Sequence, residues 1–348
     1  MNRWGFLGTG RVTRRMIDAV RQANEASLAG IASREHERAK AWAEDRGTEL
    51  NHPDAEEVKA YRNYDAMLQD PSIDWVYVAL PPSLHCQWTM AALIAGKNVL
   101  CEKPLCQNSH EAIEIANTAK KYNRQVFHAT AFPYHPRSAA ARALIAAGEL
   151  GEIRRLHVAC TFAGVLNRGN DHRTDAALGG GCLLDLGWYC VLSTLWFTGL
   201  ECTRLRAVGS KAGGVWNQVQ VLAEMNNGAI AHWDCGFDAA PRRWIEIAGI
   251  QASWICDDFL RPLDIAKPRF WVHGQDGKAR TETIGEGIFQ EAFMIEACQA
   301  SQPSKNDSTL KSIATQKIAA DQFALALKTH RILDCIEQSA ESGEAVRV

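Results

Sequence analysis

Apolar positions over the first third of the chain alternate between short continuous runs and a spacing of three to four. Residues 3–7 form the first run, closed by Gly8, and Val12, Met16, Ile17 and Val20 then mark one face of a helix. Residues 27–32 read as a second strand, 35–46 as a charged helix and 64–68 as a short helix. A strongly β-prone run over 73–80 is closed by Pro81-Pro82, and a helix follows through Trp88, Ala92 and Ile94 to Gly96. Residues 98–101 make the next strand, 110–122 an amphipathic helix and 125–128 another strand. Strands alternating with helices predict a parallel, doubly wound sheet of Rossmann type with right-handed crossovers. Ligands of such sheets sit at the carboxyl ends of the strands, here near Gly8, Ser33, Pro81 and Glu102.

Beyond residue 130 the rhythm becomes two-residue alternation. It runs over 153–162, then over 205–208, 219–224, 229–237, 244–248 and 253–257. Asn226-Asn227-Gly228, Gly213-Gly214 and residues 275–278 supply turn signals. Helical patterns return over 289–300 and 309–327. The expectation is an α/β Rossmann domain over 1–125 and an α+β substrate-binding and oligomerisation domain over 126–348, built on a large, open, mainly antiparallel sheet. An open sheet needs cover, so a homodimer or homotetramer through that sheet is expected.

Composition narrows the partners. At 348 residues the chain exceeds one ordinary domain of roughly 100–200 residues. A net charge of −2 leaves no broad basic field, which argues against nucleic acid and anionic membrane surfaces. No apolar run reaches the roughly 18–20 residues that span a bilayer. No secretory signal precedes Trp4-Gly5-Phe6-Leu7, so a cytoplasmic protein is expected. The 11 cysteines include no CxxC pair and read as reduced, buried thiols with no metal site.

Gly8-Thr9-Gly10-Arg11-Val12 follows a strand and opens a helix, the context in which a GxG turn binds a dinucleotide. The first glycine makes the turn, the second admits the pyrophosphate, and free N–H groups at the helix start hold it. Thr13 stands where a third small residue is usual. After the second strand, Ser33-Arg34 replaces the acidic residue that bonds the ribose of NAD. A hydroxyl and a guanidinium suit a 2′-phosphate, which favours NADP, with Glu35 leaving NAD as the alternative. Leu80, Pro81, Pro82, His85, Glu102 and Lys103 lie at the later strand ends and complete the expected cofactor site. Lys103 reads equally as an active-site lysine or a surface one. Downstream, Gly179-Gly180-Gly181 permits close approach, and Asp185 and Tyr189 are four apart, on one helical face. They read either as a carboxylate and phenol acting together or as a capping Asp and a core Tyr.

The stretches Asp74-Trp75-Val76-Tyr77-Val78-Ala79-Leu80-Pro81-Pro82-Ser83-Leu84-His85 and Ala95-Gly96-Lys97-Asn98-Val99-Leu100-Cys101-Glu102-Lys103-Pro104-Leu105 resemble the Gfo/Idh/MocA oxidoreductase family. The resemblance runs over nearly the whole chain. It implies an active-site role for Lys103 near nicotinamide and substrate. The Asp185/Tyr189 pair is similar to the branch of glucose–fructose oxidoreductase, dimeric dihydrodiol dehydrogenase and NADP-dependent xylose dehydrogenase. That branch implies Tyr189 as acid/base and Arg173 as a substrate contact, with the catalytic carboxylate Asp185 orienting substrate hydroxyls or balancing the lysine. A tyrosine brought from pKa 10 to about 7 needs roughly 4 kcal/mol, which an ammonium at ~4 Å supplies at an effective dielectric near 20. One family pattern, Arg-x-His-Pro, appears here as Pro133-Tyr134-His135-Pro136, without the arginine. The expected activity is hydride transfer between a nicotinamide and a sugar, polyol or vicinal diol. The alternatives are a sugar–sugar oxidoreductase that retains its cofactor and a non-catalytic nucleotide or sugar sensor. An intact lysine, aspartate and tyrosine argue against the sensor.

Overall fold

The computed structural model describes residues 1–49, 58–165, 171–301 and 310–348. It divides into two compact units: Met1–Cys106 with His110–Thr130 and Glu291–Ala324, and Gln107–Ser109 with Ala131–Gln290 and Leu325–Val348.

The first unit alternates β1 (Asn2–Leu7), α1 (Val12–Gln22), β2 (Ala26–Ala32), α2 (His36–Glu49), β3 (Lys59–Tyr61), α3 (Tyr64–Leu68), β4 (Trp75–Val78), α4 (His85–Ile94), β5 (Asn98–Cys101), α5 (Ser109–Tyr122) and β6 (Val126–His128). The strands form one six-stranded sheet in the order β3-β2-β1-β4-β5-β6. Every neighbouring pair is parallel. Order turns back between β1 and β4, so the ligand crevice of this topology lies past their carboxyl ends. Strand β4, at the centre of the sheet, is buried along its whole length, as expected of a parallel strand covered on both faces. Trp4 stacks on Trp75 at 5.0 Å and Phe6 meets Tyr77 edge-on at 5.0 Å, with all four side chains inaccessible.

The second unit contains α6 (Pro136–Ala146), β7 (Ile153–Thr161), α7 (Trp188–Thr198), β8 (Cys202–Ala212), β9 (Val215–Met225), β10 (Ile230–Gly236), β11 (Arg242–Gly249), β12 (Ala252–Cys256), β13 (Arg269–Gly274) and β14 (Ala279–Thr283). Then come α8 (Gln290–Ala300), α9 (Leu310–Ser342) and β15 (Val346–Arg347). Nine strands join in the order β14-β13-β12-β11-β7-β10-β9-β8-β15, antiparallel except for β7 beside β10. On one face α7 packs on the sheet, the Trp233 indole donating to Thr194 Oγ1 at 2.8 Å. The other face carries a row in register across Leu222, His232, His157, Glu246, Ile255 and Trp271. None of these six side chains is buried, and Leu222 is 60% exposed.

The structure moves the expected boundary at 125/126. Val99, Leu100 and Cys101 pair with Val126, Phe127 and His128, so the parallel sheet ends only with β6. The later segment Glu291–Ala324 also joins the first unit. There Glu296 accepts both the Asn24 amide N–H at 3.0 Å and its side-chain amide at 2.6 Å. The stretch Ala176–Thr198, mean hydropathy 1.3, is long and apolar enough to cross a bilayer by composition, contrary to the sequence expectation. Its window is 67% buried, which is the burial of a core segment.

Candidate active site

The glycine turn leaves β1 with the Gly8 N–H donating to Ala32 O at 2.9 Å. Gly8 has φ +101°, and a Cβ there would sit 2.3 Å from Ala79 O. Glycine is therefore dictated from inside the protein at this position. Gly10 differs: it is exposed, and a Cβ would come no nearer than 3.9 Å to any atom. Nothing inside the chain requires glycine there, so the space above it suits an external group that approaches the backbone. Helix α1 starts beside it without a side-chain cap and without an acidic residue in its first turn. Its positive dipole end fits a pyrophosphate. Thr9 is half-buried, and Arg11 and Val12 are exposed around the turn. Thr13 turns out to fit: it is buried, its hydroxyl donates to Gly10 O at 2.6 Å and accepts the Trp42 indole N–H at 3.1 Å.

Past β2, Ser33 is buried and Arg34 and Glu35 are exposed. Arg38, one helical turn on, is also exposed and was not anticipated from the sequence. Burial raises the Tyr64 hydroxyl above its ordinary range, against the charges of Arg34 and Arg38 that both face it. Among the described residues, neither guanidinium is paired with a carboxylate. Two guanidiniums past the carboxyl end of β2 are groups that fit a 2′-phosphate.

At the ends of β4 and β5, Leu80 and Pro81 are half-buried and Pro82 is buried. His85 is buried, with Nε2 2.7 Å from Leu80 O and Nδ1 2.7 Å from Pro104 O. It thus ties the loop after β4 to the turn after β5, and its part in cofactor binding runs through those loops. The Tyr77 hydroxyl donates to Glu102 Oε1, and Glu102 Oε2 accepts the Lys103 N–H at 3.2 Å. Burial raises the Glu102 carboxyl, opposed by the Tyr77 bond and the Lys103 charge. Lys103, half-buried, precedes a cis peptide bond to Pro104.

In the second unit, Arg173 Nε donates to Asp185 Oδ2 at 2.8 Å and its Nη1 to Asp171 Oδ1 at 3.1 Å. Burial works against the guanidinium charge, but the two carboxylates hold Arg173 above the ordinary arginine range. Burial alone would raise the Asp171 carboxyl, and the Arg173 amide and guanidinium hold it low instead. The glycine run is clamped against the same segment. A Cβ on Gly180 would sit 2.6 Å from Arg173 O, and the Gly181 N–H donates to that carbonyl at 2.9 Å. The close approach read from the three glycines is made by the protein's own turn. Residues Leu183–Gly187 then form a π-helical turn, and α7 begins only at Trp188. The shared α-helical face expected for Asp185 and Tyr189 is therefore replaced by a widened turn (a feature frequent at functional sites). Asp185 is buried under Arg173, and Tyr189 is half-buried at the start of α7. His135, of the altered Arg-x-His-Pro pattern, caps α6 by accepting the Arg137 N–H at 3.0 Å.

Residues 2–130 match the oxidoreductase family with an NAD-binding Rossmann fold, and residues 138–280 match the GFO/IDH/MocA C-terminal domain. A dTDP-3,4-didehydro-2,6-dideoxy-alpha-D-glucose 3-reductase of Saccharopolyspora spinosa is 31% identical, over 85% of this chain and 96% of that one. The chain belongs to the Gfo/Idh/MocA oxidoreductase family. Another relative of this Gfo/Idh/MocA oxidoreductase is D-xylose 1-dehydrogenase (NADP(+)) 2 of Haloferax volcanii, 27% identical over 99% of both chains. Among solved structures, a 3-ketoreductase from Actinomadura kijaniata in complex with NADP and TDP-benzene superposes with a TM-score of 0.82 at 26% identity, covering 97% of each chain.

Proposed function

We propose that the chain is an NADP-linked dehydrogenase or reductase, moving a hydride between the nicotinamide and a sugar, polyol or vicinal diol. One observation carries the chemistry: Arg173 fixes the Asp185 carboxylate at 2.8 Å, one π-turn ahead of the Tyr189 phenol, in a family oxidoreductase with an intact Lys103. The bare start of α1 with Gly10 supports the dinucleotide, and Arg34 with Arg38 supports its 2′-phosphate. The names of relatives, acting on xylose and on a deoxysugar nucleotide, support the substrate class.

A bound nicotinamide supplies the hydride chemistry. Tyr189 takes the hydroxyl proton on oxidation and returns it on reduction. Lys103 is the residue we assign to assist that proton transfer. Asp185, held by Arg173, accepts hydrogen bonds from substrate hydroxyls and fixes their orientation, with Arg173 donating from its remaining N–H groups.

The test is NADP reduction across aldoses, inositols and dihydrodiols. Tyr189→Phe is expected to lower kcat by roughly 10²–10⁴-fold, the range of acid–base catalysis, with cofactor binding retained. Full turnover in that variant refutes the assignment. The open face of the large sheet, with Leu222 and Val208 exposed on it, is taken as the surface for a second copy of the chain. A monomer by light scattering at micromolar concentration overturns that part.

A further inference from the structure

We infer that Tyr77 is a positioning residue for Lys103, acting through Glu102. The inference rests on the reading that Lys103 works in the active site.

Tyr77 stands in the middle of a strand whose other positions, Trp75, Val76 and Val78, are apolar and inaccessible. A phenylalanine would fill the same volume without burying a hydroxyl. A buried polar group is unfavourable unless it is bonded, so the position makes sense only through the bond it makes. The ring is pinned edge-on against Phe6, two residues before the glycine turn. The hydroxyl reaches the end of the neighbouring strand and donates to Glu102 Oε1. The other carboxylate oxygen accepts the Lys103 N–H. One carboxylate thus couples the buried core of the sheet to the backbone that carries the lysine, while His85 holds the same turn at Pro104 O from its far side.

The charged and titratable groups facing Glu102 are Tyr77 on β4, Cys101 on β5, Lys103 in the turn and Glu291 in α8. Burial and Glu291 favour the protonated carboxyl, whereas Tyr77 and Lys103 favour the carboxylate. Loss of the phenol bond shifts Glu102 toward its protonated form. Lys103 then loses an anionic neighbour as well as a fixed backbone.

The experiment compares wild type with Tyr77→Phe, which keeps the ring and hence the packing. Expected are a fall in kcat of about tenfold, the size of one modest hydrogen bond, and a change in the KM for NADP of less than about threefold. The acid limb of kcat/KM moves to higher pH. Glu102→Gln removes that movement, so adding Tyr77→Phe to it changes the profile no further. A second measurement does not depend on turnover: labelling of the Lys103 amine by acetic anhydride, followed by mass spectrometry. It becomes faster in Tyr77→Phe by about threefold, equivalent to half a pKa unit. Unchanged labelling overturns the inference whatever the activity. Faster labelling together with wild-type turnover in Lys103→Ala keeps the inference and overturns the reading of Lys103 instead.

Discussion

The two glycines of the nucleotide turn are expected to fail in opposite ways when each becomes alanine. At Gly8 the new methyl would sit 2.3 Å from Ala79 O, with the backbone at φ +101°. A disfavoured backbone region costs about 1–3 kcal/mol, and overpacking against fixed backbone costs about 1–3 kcal/mol more. Gly8→Ala should therefore lose roughly 4 kcal/mol and about ten degrees of Tm, at the 2–4 degrees per kcal/mol usual for units of this size. At Gly10 the methyl meets nothing within 3.9 Å and the backbone is not left-handed. Gly10→Ala should then fold as well as wild type, or gain about 0.4–1 kcal/mol from a stiffer unfolded chain. Its loss appears on binding. Displacing the pyrophosphate from one charge-assisted N–H bond costs about 1.5–3 kcal/mol, or roughly 10–100-fold in Kd. Thermal unfolding of the cofactor-free protein and NADPH fluorescence titration measure both quantities. Gly10→Ala binding NADPH as tightly as wild type would refute the placement of the pyrophosphate. An unshifted Tm in Gly8→Ala would refute the steric argument.

Arg34→Ala and Arg38→Ala should each raise the KM for NADP by about tenfold or more, one charge-assisted contact apiece, while the KM for NAD moves less than about threefold. Steady-state kinetics with both cofactors check this, and equal effects on the two would remove the 2′-phosphate from these guanidiniums. Burial lowers His128 and His135 to about 4 in the folded protein. Between pH 6.5 and about 4 the unfolded chain binds these protons and the native one does not, so stability falls as pH falls through that window. Each histidine contributes up to about 1.4 kcal/mol per pH unit to that slope, measurable by urea unfolding at pH 7.5, 6 and 5. A flat profile from 7.5 to 5 contradicts it.

The parts of the fold that sequence made plain are those where burial is one-sided or complete. The strands of the parallel sheet read as apolar runs because helices cover both faces. Helix α6 went unread because its buried face carries Arg137 and Ser138 beside Ala141. The Arg137 guanidinium is nearly inaccessible and bonds Asp258, a partner 121 residues away. A charge in the core is invisible to periodicity until its counter-ion is located. Strand β3 is three residues long with an exposed Lys59, too short to establish an alternation. Strands β13 and β14 flank the turn that the sequence did announce, closed by the Gly274 N–H on Lys278 O at 3.0 Å.

The candidate site divides along the same line. Gly8 was legible because only glycine satisfies its turn, at φ +101° and close against Ala79 O. Residues whose role lies in a partner were legible as types but not as arrangements. Asp185 looked like one half of a helical pair with Tyr189, whereas its carboxylate is bound to Arg173, twelve residues earlier in the chain. Glu102 looked like a cofactor ligand, whereas both its oxygens are engaged by Tyr77 and Lys103. In each case the carboxylate is bonded to another candidate site residue. A carboxylate with a fixed internal donor keeps its orientation, so Asp185→Asn, which keeps the size and loses the charge, weakens the Arg173 bond before it weakens any bond to substrate.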